Sequence, residues 1–178
     1  MAFEYFGEVK TNRIKNLQRQ FMTITWKDLT VEFNHINLNR LMESWRWLIG
    51  NNKKPILMSS IGDLFFEDDK GMCYWLNVGE GKFEKVAKNH EEFKAKLKNK
   101  EIVDEWFLVE LVAELKRNGL ELMEKKLYGY KTLPILGGEY SPENFELTDI
   151  EVHFELSGQI HKQIKDLPNG TKINIVAE

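Results

Sequence analysis

The sequence of 178 residues contains a single cysteine, Cys73, and only four prolines. It also has no apolar run close to the roughly 20 residues that span a bilayer. One cysteine excludes a disulfide bond within the chain and leaves a cysteine-based zinc site without ligands. The start, Met1-Ala2-Phe3-Glu4, has no basic region followed by an apolar stretch, so no signal peptide is expected. These absences favour a cytoplasmic protein.

The sequence also lacks a large excess of positive or negative charge. The chain carries 25 Lys and Arg against 28 Asp and Glu, a formal net charge of -3. A balance this close to neutral predicts neither direct nucleic-acid binding nor binding to an anionic membrane. What the chain does have is apolar material: 42% of its residues are hydrophobic, with 5 Trp and 11 Phe. That content is enough for a packed core without a metal ion or a disulfide.

The first half of the chain predicts helix and then antiparallel strands. Apolar residues from Leu38 to Ile49 recur at helical spacing, with Asn37 as a cap and Gly50 at the end. Short strand-like runs follow, joined by turns rich in Asp and Gly, which favours a β-meander. The predicted strands cover residues 56–58, 61–66, 72–76 and 83–86.

The second half predicts two helices and a C-terminal strand-helix-strand. One helix begins after Asn89 and another spans 102–118, and residues 119–146 are predicted to be mostly loop. In the segment 150–156 apolar and polar residues alternate, which predicts a strand with one wet face. A short helix over 160–167 and a last strand over 173–175 complete a single α+β domain over residues 1–178.

Three short motifs suggest chemistry, and each has a simpler interpretation. Gly79-Glu80-Gly81 begins like a dinucleotide fingerprint but lacks the third glycine, so a hairpin turn is predicted. Gly137-Gly138 could present amides to an anion, yet no Lys or Ser/Thr follows at P-loop spacing. The acidic run Glu67-Asp68-Asp69 lacks the ligand spacing of a calcium loop and predicts a solvated hairpin tip. We therefore predict neither a metal ion nor a cofactor.

Taken in order, several segments resemble a known bacterial family. They are Trp45-Arg46-Trp47-Leu48, Gly62-Asp63-Leu64-Phe65-Phe66, Tyr74-Trp75-Leu76, Pro134-Ile135-Leu136-Gly137-Gly138-Glu139, and the tail from Val152-His153-Phe154 to Asp166-Leu167-Pro168. From about residue 38 to 178, this series resembles the family defined by the C-terminal domain of a type VI secretion immunity protein. The meander with its Gly-Asp start is also loosely similar to SMI1/KNR4-type immunity proteins. The resemblance implies a protein that neutralises a secreted toxin by binding it, the toxin being a nuclease in the best-known case.

The first hypothesis is therefore a non-catalytic binding protein of the immunity type, whose partner is a protein and, on this resemblance, a basic nuclease toxin. Exposed acidic and aromatic residues on loops and on the wet strand face would bind that partner by charge complementarity. They are Glu67, Asp68, Asp69, Glu139, Tyr140, Glu151, His153 and Glu155.

Two other hypotheses stay open. One is a small enzyme or ligand-binding domain that uses the Gly137-Gly138 loop with His153 and His161, which requires these groups to converge in one pocket. The other is a structural interaction domain with no toxin partner. For the core, we expect six residues to be buried together: Trp45, Phe65, Trp106, Val112, Phe154 and Ile160.

Overall fold

The structure is a computed structural model, which describes residues 23–168 together with residues 170 and 171. The predicted last strand over 173–175 lies outside the described residues. The α+β class is confirmed: a four-stranded antiparallel sheet packs against helices, and a short strand followed by a long helix closes the described part.

The N-terminal part forms short helical segments instead of the one helix predicted over 38–49. They are α1 (Trp26–Leu29), α2 (Leu38–Leu41), a 3-10 turn (Glu43–Trp45) and α3 (Arg46–Ile49). The predicted ends are confirmed, because the Asn37 side chain accepts a hydrogen bond from the Arg40 amide and Gly50 has a φ of 72°.

The sheet is the predicted meander, with strand order β1-β2-β3-β4 and every pair antiparallel. Its strands are β1 (Lys53–Met58), β2 (Leu64–Asp68), β3 (Cys73–Asn77) and β4 (Lys82–Ala87). Pro55 is compatible with β1 because that strand is at the edge of the sheet and its register shifts between Pro55 and Leu57.

The remaining elements follow the sheet in the chain. They are α4 (His90–Lys96), α5 (Lys100–Phe107), α6 (Val109–Arg117), β5 (Lys126–Tyr130), 3-10 turns at Pro134–Leu136 and Pro142–Asn144, β6 (Phe145–Asp149) and α7 (Ile150–Ile164). The helix predicted over 102–118 is divided at Leu108, which has a φ of 46° and both ends α5 and begins α6. The antiparallel pair β5-β6 lies in the segment predicted to be mostly loop.

The predicted strand over 150–156 is wrong, because these residues form the first turns of α7. The Asp149 side chain caps this helix by accepting hydrogen bonds from the amides of Glu151 and Val152. The buried positions Ile150, His153, Phe154, Ser157 and His161 recur at helical spacing, while Val152 and Leu156 are exposed. Three of these five buried residues are polar, so the helical stripe does not appear when only apolar residues are counted.

The sheet buries both of its faces, which divides the core into two clusters. Along β2, Leu64 and Phe66 pack with Trp45 and Phe154, while Phe65 points to the other side and packs with Trp106. Five of the six residues expected in the core are buried, but Trp45 and Phe154 lie in one cluster and Phe65, Trp106 and Val112 in the other. Ile160, the sixth, is only partly buried.

Two glycines in the connections of the sheet lie directly beneath histidines of α7. A Cβ on Gly62 would lie 2.4 Å from His153 Nε2, and a Cβ on Gly81 would lie 2.3 Å from His161 Nδ1. Both glycines also have a positive φ, at 91° and 62°, which other residues adopt at a cost. These contacts bring α7 close to the sheet along most of its length.

Candidate functional site

The acidic residues of the β2–β3 hairpin have different roles. The Asp68 carboxylate accepts hydrogen bonds from the Lys70 and Met72 amides and from the Tyr74 hydroxyl, each at 2.9 Å. These bonds hold the pKa of Asp68 below its usual value. Glu67 lies 3.9 Å from His90 Nδ1, and Asp69 is exposed. Asp68 therefore shapes the turn, and Asp69 is the freer of the two neighbouring charges.

Glu139 and Tyr140 lie near the opposite end of the sheet from that hairpin. Both are exposed, and the Tyr140 hydroxyl donates a hydrogen bond of 3.2 Å to Glu80 in the β3–β4 turn. Because β2 and β3 are antiparallel, the β2–β3 and β3–β4 turns are at opposite ends of the sheet. The structure thus separates two groups of residues that the sequence analysis placed in one binding set.

The three candidates on α7 do not share one face. His153 is buried, at 4% exposure, and not on a wet surface as predicted, because the segment is a helix and its ring faces the sheet. Burial lowers the pKa of His153 to about 4, so the ring is neutral near pH 7. Glu155 is exposed, and Glu151 lies 4.0 Å from Arg40.

His153 and His161 do not converge in one pocket with the Gly137-Gly138 loop. The His161 Nε2 donates a hydrogen bond of 2.8 Å to the Val78 backbone oxygen, beside a groove that Leu136 also lines. His153 lies elsewhere, with its ring centroid 6.2 Å from that of Tyr130. The arrangement required by the small-enzyme hypothesis is therefore not present.

A cleft of about 290 Å³ lies beside Tyr140 and combines carboxylates with aromatic rings. Asp63 precedes β2, Trp75 lies on β3, Glu84 is its partner on β4, and Tyr130 ends β5. Elements from both halves of the chain thus meet here. The cleft is lined by Ile61, Asp63, Trp75, Asn77, Lys82, Glu84, Glu105, Leu108, Tyr130 and Tyr140.

Asp63 is the most deeply buried charged group of this cleft, at 2% exposure. One carboxylate oxygen accepts a hydrogen bond of 2.8 Å from the Val78 amide, and the other accepts one of 3.0 Å from Trp75 Nε1. Burial raises the pKa of Asp63 to about 7, against the opposing effect of these two donors. Both donors are neutral, so neither compensates the charge of the ionised carboxylate.

The two tyrosines of the cleft are held in their protonated form. Burial, together with the charge of nearby Asp63, raises the pKa of Tyr130 well above its ordinary value. Burial and the charge of Glu80 likewise raise the pKa of Tyr140. The two rings meet edge to face, with centroids 6.1 Å apart. Both hydroxyls are therefore hydrogen-bond donors and not nucleophiles near neutral pH.

Sequence reasoning selected Tyr140 for this site but did not select Asp63, Trp75 or Tyr130. A signal for Asp63 was present, because a charged residue stands directly before the apolar run Leu64-Phe65-Phe66. A charge next to a buried strand must find partners, which marks such a position for inspection. Tyr130 gave no comparable signal, since its strand was not predicted.

Within residues 23–168, 170 and 171, no three His, Cys, Asp or Glu side chains are grouped so that they could hold a metal ion. In the same part of the chain, no helix is both long and apolar enough to cross a bilayer.

Comparison with known proteins supports the family resemblance. The model of the family "T6SS immunity protein Tdi1, C-terminal" matches residues 87–161, which confirms the resemblance to a type VI secretion immunity family over that segment. The match covers less than half of the chain and includes Glu105, Leu108, Tyr130 and Tyr140 of the cleft. No curated protein matches the chain.

One solved structure, the crystal structure of Atu4351 from Agrobacterium tumefaciens, is similar at 15% sequence identity with a TM-score of 0.46. The similarity covers 69% of this chain and 64% of that one, so the chain spans less than two thirds of the length of Atu4351.

Proposed function

We propose that this protein is a non-catalytic immunity protein that neutralises a secreted toxin by binding to it and occluding its working surface. The observation that carries the proposal is the match to the type VI secretion immunity family over residues 87–161. That segment contributes α5, α6, β5 and most of α7, and it supplies four of the residues that line the cleft. The segment that resembles the family therefore forms one wall of the candidate site, and the sheet with its β1–β2 connection supplies the other six lining residues.

The chemistry of the cleft suits recognition better than catalysis. Burial and neighbouring carboxylates raise the pKa of Tyr130 and that of Tyr140 above the ordinary value, so both hydroxyls stay protonated and can donate hydrogen bonds. Both carboxylate oxygens of Asp63 accept hydrogen bonds, one from the Trp75 indole and one from the Val78 amide. His153, whose pKa burial lowers to about 4, is buried between α7 and the sheet. Aromatic rings of this kind are typical of the centre of a protein–protein interface, and carboxylates around them add charge complementarity to a basic partner.

The partner we propose is a basic protein, such as a toxin that cleaves nucleic acid. Acidic groups lie at three places on the fold: Asp69 at the β2–β3 turn, Glu139 beside the cleft, and Glu155 on the outer side of α7. Charges of this kind attract a basic surface over distance and so act mainly on the rate of association. Among the three places, we assign the contact to the cleft and its neighbouring residue Glu139, because the exposed ring of Tyr140 lies there together with the rings of Trp75 and Tyr130.

Capture of the partner from the native host tests the proposal. The tagged protein should retain a secreted toxin encoded by the same cell, and co-expression should protect a sensitive bacterium from that toxin. Failure to protect while the toxin is still bound would exclude neutralisation, and failure to bind any toxin would exclude the immunity role.

Two variants then locate the contact. Tyr140→Ala removes an exposed ring next to the cleft, and Asp69→Lys reverses an exposed charge at the opposite end of the sheet. We expect Tyr140→Ala to raise the Kd for the toxin at least about tenfold, as loss of an aromatic contact at an interface centre does. Asp69→Lys should change the Kd by less than about threefold. The reverse order of effects would move the binding surface to the β2–β3 turn.

A further inference from the structure

The cleft beside Tyr140 has features that specify its ligand more narrowly than a basic surface does. Three carboxylates line it, from Asp63, Glu84 and Glu105, against a single lysine, Lys82. That lysine already has a carboxylate neighbour outside the lining, since its Nζ lies 3.6 Å from Glu80. The cleft therefore has an excess of negative charge that no basic side chain among its lining residues offsets.

The deepest of these carboxylates is also the one least compensated. Asp63 is almost fully buried, and its two hydrogen-bond donors, Trp75 Nε1 and the Val78 amide, are neutral. A buried carboxylate without a cation beside it costs free energy, which is recovered if a cation arrives. Asp63 nevertheless lines the cleft together with the exposed residues Glu105 and Tyr140.

The shape and the walls of the cleft favour one long side chain over a small molecule. Its volume of about 290 Å³ is at or below the lower limit of ordinary ligand pockets. Aromatic rings from Trp75, Tyr130 and Tyr140 form part of the wall. A guanidinium group stacks on such rings and donates several hydrogen bonds in a plane, whereas an ammonium group is compact and strongly hydrated.

We propose that this cleft binds one arginine side chain of the partner protein, with the guanidinium between Glu84 and Glu105 and directed towards Asp63. The proposal rests on the proposed function for the identity of the partner, since the toxin is what would present the arginine. Recognition of arginine itself depends only on the residues of the cleft.

The isolated protein therefore allows a direct test without a toxin. The probe is N-acetyl-arginine amide, and the matched control is N-acetyl-citrulline amide, which has nearly the same shape but no charge. The reporter is the indole N–H signal of Trp75 in a nitrogen-15 NMR titration. We expect a saturable shift with the arginine compound, a weaker one with N-acetyl-lysine amide, and none with the citrulline compound.

Variants distinguish the cleft from general attraction to an acidic protein. Glu105→Gln removes an exposed carboxylate that lines the cleft, and Glu101→Gln removes an exposed carboxylate one turn earlier on the same helix but outside the lining. We expect Glu105→Gln to weaken arginine binding about two- to fivefold and Glu101→Gln to leave it unchanged. Glu84→Gln on β4 should act like Glu105→Gln, which provides a second test on a different element.

The pH dependence of arginine binding distinguishes a direct role of Asp63 in binding from a structural one. The charged and titratable groups that line the cleft with Asp63 are Lys82, Glu84, Glu105, Tyr130 and Tyr140. Burial raises the pKa of Asp63 to about 7, so its charge changes in this pH range. Affinity for the arginine compound should rise between pH 6 and pH 8 as Asp63 ionises, and Glu105→Gln should keep that rise.

Several results would overturn the proposal. Equal shifts with the arginine and citrulline compounds would mean that charge is not recognised. Equal losses in Glu105→Gln and Glu101→Gln would mean that the attraction is not local to the cleft. A toxin that is captured and neutralised while the arginine compound fails to bind would refute this inference alone. Arginine binding without any captured toxin would instead refute the immunity role and leave the cleft assignment in place.

Discussion

Asp63 and His161 hold the same residue of the β3–β4 turn from two different elements. The Val78 amide donates a hydrogen bond of 2.8 Å to Asp63, and the Val78 oxygen accepts one of 2.8 Å from His161 Nε2. The turn that carries Glu80, the hydrogen-bond acceptor of Tyr140, is thereby fixed to the cleft on one side and to α7 on the other. Disturbing the turn should therefore affect both the cleft and the packing of α7.

The first prediction concerns pH, since Asp63 and His153 have opposed effects on stability. Asp63 has a pKa of about 7 in the folded protein and 3.8 as a model group, so between these values the folded state holds a proton that the unfolded state has released. Its contribution makes the free energy of unfolding fall as pH rises from about 4 to 7. His153 titrates near 4 when folded and at 6.5 as a model group, so its contribution rises with pH from about 4 to 6.5.

In the wild type, the slope of stability against pH that Asp63 contributes largely cancels the slope that His153 contributes. Replacing one of the two residues should therefore leave the slope of the other. Asp63→Asn should make stability rise with pH between 4 and 6.5, and His153→Gln should make it fall, each with a limiting slope of about 1.4 kcal/mol per pH unit. Urea unfolding at half-unit pH steps measures this. The slopes are compared and not the absolute stabilities, since both substitutions also alter packing. Parallel curves for all three proteins would contradict the assignment.

The second prediction separates backbone strain from crowding at a glycine. Gly62 and Gly119 have nearly the same φ, 91° and 88°, but a Cβ at Gly119 would meet no atom within 4 Å. Gly119→Ala should therefore report strain alone, about 1–2 kcal/mol. Gly62→Ala should cost about 1–3 kcal/mol more, because its methyl group collides with His153. Combining Gly62→Ala with His153→Ala should recover part of the difference in a double-mutant cycle, and simple additivity would exclude the contact.

The third prediction concerns the two neighbouring aspartates of the β2–β3 turn. Asp68 accepts three hydrogen bonds within the hairpin, so Asp68→Lys should lower the thermal midpoint clearly, while Asp69→Lys should change it little. Asp68→Asn, which keeps an acceptor oxygen, should lie between them. Equal midpoints for both reversals would show that the turn does not depend on Asp68.

The fourth prediction concerns the aromatic core on the α5 side of the sheet. The Trp106 ring lies 5.1 Å from that of Phe65 and 5.8 Å from that of Phe93, and the residue is 4% exposed. Trp106→Ala should lower the free energy of unfolding by about 3–5 kcal/mol. Trp26, whose ring packs edge to face on Phe107, is 46% exposed and serves as the control. Trp26→Ala should cost clearly less, and similar losses would mean that burial does not set the difference.

An element of the fold could be predicted from the sequence where its buried positions are occupied by apolar residues. The meander was predicted because Asp and Gly turns separate short apolar runs, and both signals are local. The start of α7 was misassigned because Val152 and Leu156 are apolar yet exposed, while the helix buries His153, Ser157 and His161. The buried His161 is stabilised by a partner distant in sequence, the Val78 backbone oxygen. The local sequence pattern does not contain that information.

The residues of the candidate site could also be predicted only in part from the sequence. Tyr140 was selected because an aromatic residue in a loop near glycines is a common binding element. Asp63 and Glu105 are separated by more than 40 residues in the sequence, and only the packing of α5 beside the sheet brings both to one cleft. The division of the helix at Leu108, which also lines the cleft, gave no signal because leucine favours an unbroken helix.

The paired contacts of α7 with Gly62 and Gly81 have a consequence for how a partner docks. His153 and His161 are eight residues apart, which is about 12 Å along a helix axis. Two close contacts at that separation leave the helix one axial position and one rotation, because a shift of one residue would turn both rings about 100° away from the glycines. Glu155 and Leu156, which lie between them and face solvent, are therefore presented at fixed coordinates relative to the sheet. A partner that contacts this side of the molecule binds a preformed surface. It can therefore dock as a rigid body, without a rearrangement of α7.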